Sequence, residues 1–94
     1  MAKAFFKGIL LAETNNPIAL EGNTYFPQQD VKMEYLTPSD YHTVCPWKGT
    51  ASYYNVAVNG EVDNNAAWYY PDPSPAAKEI KGYIAFWHKV EVTG

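Results

Sequence analysis

Thr50-Ala51-Ser52-Tyr53-Tyr54-Asn55-Val56-Ala57-Val58-Asn59-Gly60-Glu61-Val62-Asp63 reads as a strand, a two-residue turn and a returning strand. Asn59-Gly60 is the pair a type I′ hairpin turn demands, because both central residues take positive φ. The β-branched and aromatic residues before it favour an extended chain. Asn64-Asn65 then allows a bulge or kink, and Ala66 to Tyr70 continues as a compact strand with Trp68, Tyr69 and Tyr70. This antiparallel pair sets the class as all-β.

Outward from the pair, the same turn chemistry recurs. Lys7-Gly8 separates Lys3–Phe6 from Ile9–Glu13, and Glu21-Gly22-Asn23 separates Ile18–Leu20 from Thr24–Phe26. Each is a short hairpin signal. Pro27 to Asp30 turns the chain. Val31 to Tyr35 alternates apolar and polar, which predicts a half-buried strand. Thr37-Pro38-Ser39-Asp40 predicts a turn, with Tyr41 to Val44 extended behind it. Cys45 precedes Pro46 and is therefore biased toward β or polyproline geometry. The three prolines between Tyr70 and Pro75 exclude a central strand there. Ser74-Pro75 predicts a hydroxyl-capped start for one short helix near residues 75–81, closed by Gly82. Tyr83–Trp87 and Val90–Val92 predict a final hairpin around His88-Lys89.

The chain has 94 residues, 47% of them hydrophobic and 16% aromatic, and is expected to fold as a single domain over 1–94. A chain of this size buries only ~60–65% of its unfolded surface, so its margin of stability is thin. Each aromatic side chain can bury about 150–250 Å², and that bulk is expected to replace disulfides or metals as the staple. One cysteine excludes an intramolecular disulfide and leaves no pair to hold structural zinc. No metal site and no cofactor are expected. A net charge of −3 with dispersed basic residues argues against a nucleic-acid partner. No run approaches the ~18 apolar residues of a membrane span. A cytoplasmic, soluble protein is the expectation.

Unusual chemistry concentrates in His42 to Tyr54. Cys45 needs a nearby positive charge, from Lys48 or His42, to act as a nucleophile. An extended chain puts residues 42 and 45 on opposite faces, so a buried structural thiol is the competing expectation. Lys48-Gly49 reads as an anion contact or as a polar turn, and it is not a P-loop. Trp47, Trp68 and Trp87, with Tyr53, Tyr69 and Phe86, either fill the core or line a cage for a planar or cationic group. Trp68 and Tyr70 share one strand face. Glu61 and Asp63 share another, but beside a turn such charges usually face solvent.

Several strings then coincide with a known family. Tyr25-Phe26-Pro27…Asp30-Val31, Thr43-x-Cys45-Pro46-x-Lys48-Gly49-x-Ala51-x-Tyr53, Ala66-Ala67-Trp68-x-Tyr70 and Ile80-x-Gly82-x-x-Ala85-Phe86 occur in order along almost the whole chain. With them the sequence resembles the bacterial domain-of-unknown-function 427 family. The resemblance implies a small β-tent (Mss4-like) domain, two antiparallel sheets packed at an angle. That outline is shared with methionine-R-sulfoxide reductases and the drug-binding domain of cereblon. The zinc-binding cysteines of such relatives are missing here. The family also carries a nucleotidyltransferase label without settled catalytic residues.

The leading expectation is a small-molecule-binding domain with an aromatic-lined pocket between sheets. Its ligand residues would be Trp47, Lys48, Tyr53, Trp68 and Tyr70, with His42 and Cys45 at the rim. The alternatives are an enzyme using Cys45, Lys48 or His42 as catalytic groups, and a structural or protein-interaction module that forms a homodimer through an edge strand.

Overall fold

The structure, a computed structural model, describes residues 1–94. The decisive hairpin forms as read: β6 (Gly49–Val58) and β7 (Glu61–Tyr69) are antiparallel, and Asn59 and Gly60 take φ of 51° and 81°. β5 (Leu36–Cys45) and β8 (Ala85–Phe86) flank them, giving a four-stranded sheet in the order β5-β6-β7-β8. β1 (Ala2–Phe6), β2 (Ile9–Thr14) and β9 (Glu91–Thr93) make a three-stranded sheet in the order β2-β1-β9. β3 (Ile18–Leu20) and β4 (Asn23–Tyr25) form a separate hairpin. The molecule is all-β, with three antiparallel sheets where two were expected.

The four-stranded sheet lies between two cores, because alternate residues leave its opposite faces. On one face Val56, Val58, Ala67 and Phe86 meet Ala2, Ala4, Phe6 and Leu11 of the three-stranded sheet. On the other, Ala51, Tyr53, Trp68 and Tyr70 meet Tyr25, Ala77 and Ile80. β6 and β7 thus send apolar side chains into both cores. The β6–β7 register shifts between Tyr54 and Val56, opposite Asn65 at φ 57°. Asparagine tolerates this left-handed conformation, and the bulge lets Ala66 and Ala67 both enter the core.

Four local expectations are corrected. Val31 to Tyr35 is not a strand: Val31 forms only a bridge to Ala12, and Met33–Tyr35 is a 3-10 turn. The alternation marked burial correctly, with Val31 buried and Met33 and Tyr35 half-buried, but no partner strand lies beside Met33–Tyr35. Thr37 to Asp40 is not a turn but part of β5, with an irregular register between Pro38 and His42. β5 is an edge strand, so a proline without an N–H is tolerated there. The helix near 75–81 is a kinked 3-10 segment, Pro75–Ile80, and Ser74 does not cap it. The Ser74 hydroxyl donates to the Trp47 carbonyl instead. Finally, β8 and β9 do not pair with each other. The chain turns at His88, φ 55°, so that β8 joins β7 and β9 joins β1.

Candidate functional site

Strand parity collects one set of aromatic rings. Tyr53 pairs with Trp68 and Trp68 with Ala85, so they share a face of the four-stranded sheet. Tyr41 of β5 joins them, its ring centroid 4.9 Å from that of Tyr53. Trp87 follows β8 and closes the row, 5.4 Å from Trp68 and 6.2 Å from Tyr53. Half of this face is covered, where β3–β4 and the Pro75–Ile80 segment bring Tyr25, Ala77 and Ile80 over Ala51, Tyr70 and Ala85. The other half is open: Tyr53 and Trp68 form a floor, each 7% exposed, between Tyr41 at 48% and Trp87 at 41%. The result is a shallow aromatic saddle.

Hydrogen bonds fix the rings from behind. The Tyr53 hydroxyl and Thr43 Oγ1 are 2.9 Å apart, and Trp68 Nε1 donates to the Tyr25 hydroxyl at 3.3 Å. Trp87 Nε1 donates to the backbone carbonyl of Asn65, the bulge residue. Asn65 also receives the Ser39 hydroxyl on its side chain and donates its N–H to Asn55 Oδ1 at 2.9 Å. One bulge therefore ties β5, β6, β7 and the Trp87 indole together.

A second cluster forms at the turn Cys45–Gly49, on the covered side. Lys48 is only 6% exposed, and its Nζ lies 2.5 Å from Glu21 Oε1. Trp47 Nε1 donates to the other Glu21 oxygen at 2.9 Å. The ammonium also stands 5.4 Å from the Tyr70 ring centroid and 5.6 Å from that of Trp47. Burial by itself would favour the neutral amine, but the hydrogen bond to Glu21 and the charges around it reverse this and raise the Lys48 pKa above the ordinary lysine value. Glu21 is the partner in direct hydrogen-bond contact with the ammonium. Hydrogen bonds from Lys48 and then Trp47 hold the Glu21 carboxyl below its usual range. Burial raises the Tyr70 phenol, against the opposing charge of Lys48. The Lys48 ammonium is engaged by the Glu21 carboxylate. It clamps the β3–β4 turn to the β5–β6 turn.

The remaining sequence candidates separate. His42 is exposed, with Nδ1 3.3 Å from Ser52 Oγ across the strand pair. Cys45 is half-buried against the covered aromatic core, and the parity of β5 sends His42 to the opposite face. Asp63 is buried and accepts the Lys89 backbone N–H at 2.9 Å, while Glu61 makes a surface ion pair of 3.7 Å with Lys7. Those two carboxylates are thus occupied separately.

Of the five ligand residues expected from sequence, the structure brings Tyr53 and Trp68 into the saddle and Trp47, Lys48 and Tyr70 into the clamp. The pocket expected between the sheets is absent, because side chains of both cores fill the space. Trp87 was weighed from sequence as a cage residue but was not among these five, and Tyr41 was placed in no site. The signal for Tyr41 was parity: Tyr41 and Thr43 lie on one face of β5, which Thr43, paired with Ala51, shares with Tyr53.

Fold and site together define a small all-β domain whose central sheet carries an aromatic face, half covered and half open. The chain belongs to the family described as a domain of unknown function (DUF427), whose model matches residues 2–93. No curated protein matches the sequence.

Proposed function

We propose that the protein is a binding module that seats a small molecule on the saddle of Tyr41, Tyr53, Trp68 and Trp87. The single observation carrying this is the half-open aromatic face. Four rings stand in one contiguous row, and its two outer members are exposed although each is a large apolar group. Folding alone rewards covering such rings, at about 25 cal/mol per Å² of apolar surface. The neighbouring half of the same face is covered in just that way. Rings held in place by hydrogen bonds around a buried floor offer an apolar surface on which a ligand can stack.

The state of Lys48 supports binding over catalysis, since its charge is spent on Glu21. The free, half-buried Cys45 thiol supports a reducing, cytoplasmic setting. The test is a fragment screen read by tryptophan fluorescence, repeated with Trp87→Ala and Tyr41→Ala. Hits against the native protein should be lost in both variants while each variant still unfolds cooperatively in urea. Hits that survive both substitutions would overturn the proposal.

A further inference from the structure

Resting on that binding role, we infer that the saddle is selective for a small soluble organic cation of the trimethylammonium type. The inference comes from what the rings have left to offer. Three of the saddle's four polar handles are already used inside the protein: the Tyr53 hydroxyl with Thr43, the Trp68 indole N–H on Tyr25, and the Trp87 indole N–H on the Asn65 carbonyl. A ligand that needs hydrogen-bond donors from these rings would have to break the bonds that hold them in place. Their π faces remain, and a π face is negative.

The geometry suits one compact charge. The centroids of Tyr53, Trp68 and Trp87 form a triangle with sides of 5.4, 6.2 and 6.4 Å. A single atom can therefore stand within ~6 Å of all three, the range over which cation–π attraction acts. The protein does not fill this position itself. Its ammonium–ring contacts are Lys7 with Phe6 and Lys48 with Trp47 and Tyr70, none of them in the saddle. Lys89 is exposed, and the His88 ring stands beside Trp87, its centroid 4.2 Å away and its plane tilted by 31°. The net charge of −3 adds a weak long-range preference of the same sign. A neutral planar ring gains stacking here but no directional contact, and an anion meets the wrong face.

The test compares choline with 3,3-dimethyl-1-butanol, in which carbon replaces the nitrogen at the same shape, and with indole and acetate. Binding is read by tryptophan fluorescence and by the indole N–H resonances. Choline should bind about tenfold or more tightly than its neutral isostere, as expected when several rings share one desolvated cation. Acetate should not bind. Trp87→Ala should remove choline binding, and Trp47→Phe should leave it intact. Equal affinity for choline and dimethylbutanol, or binding of indole alone, would overturn the cation assignment while leaving a binding module. Silence from all four probes would overturn both. Sedimentation with phosphatidylcholine vesicles without affinity for free choline would move the charge to a membrane surface and overturn the soluble-ligand assignment.

Discussion

Asn65 offers a reversal of sign that tests the bulge. In an ordinary strand, glycine is worse than alanine by roughly 0.5–1 kcal/mol because it loses more backbone entropy. Asn65 sits at φ 57°, where a Cβ costs about 1–2 kcal/mol and glycine costs nothing. Both Asn65→Gly and Asn65→Ala lose the side-chain bond from Ser39, about 0.5–1.5 kcal/mol, and both keep the backbone bonds to Asn55 and Trp87. Asn65→Ala should therefore be less stable than Asn65→Gly by about 1 kcal/mol, the Cβ cost less glycine's extra entropy. The order is the opposite of the strand rule. Urea unfolding at constant m would read it, as would melting, where 1 kcal/mol is worth roughly 4–8 °C in a domain of this size. Alanine as stable as glycine, or more so, would refute the bulge as described.

Other outcomes follow from the clamp, the thiol and the edge. Glu21→Gln should destabilise the protein at neutral pH. Since the folded Glu21 pKa is depressed, its contribution is full above the unfolded value of about 4.3 and is lost as pH falls through the folded value. The gap in urea midpoint between native and variant should therefore close in acid, and a gap that widened there would contradict the pairing. Cys45, half-buried against the covered aromatic core, should react with a thiol probe several-fold more slowly in the native than in the unfolded protein. Faster native labelling would instead favour a reactive thiol. The β5 edge carries Pro38, an irregular register and Asp40, devices that discourage strand addition. Light scattering should give a concentration-independent monomer, and a dimer abolished by substitution in Tyr41–Val44 would overturn that.

Much of the fold was legible because turn chemistry is local. Lys7-Gly8, Glu21-Gly22 and Asn59-Gly60 each place two successive residues at positive φ, as their sequences demand. What escaped depended on partners distant in sequence. The alternation in Val31–Tyr35 gave the correct buried side, but pairing needs a neighbouring strand that no local pattern announces. Pro38-Ser39-Asp40 looks the same in a turn as on a sheet edge. The positive φ at His88 sends two short strands into different sheets, and nothing in Tyr83–Val92 distinguishes that from a hairpin.

The site was legible to the same degree. Trp68 came with Tyr70 from strand parity, Tyr53 from the crowded stretch around Lys48, and Lys48 was visible as unusual. Its partner Glu21, however, lies 27 residues away in a turn that reads as merely polar. The exposure of Tyr41 and Trp87 is likewise a tertiary property. It arises where the cover formed by β3–β4 and Pro75–Ile80 stops.

The most direct measurement is the indole N–H spectrum, with its three tryptophan signals assigned by single Trp→Phe variants and followed through a choline titration. The account predicts shifts at Trp87 and Trp68 with Trp47 unmoved. Shifts confined to Trp47, or none at saturating choline, would contradict it.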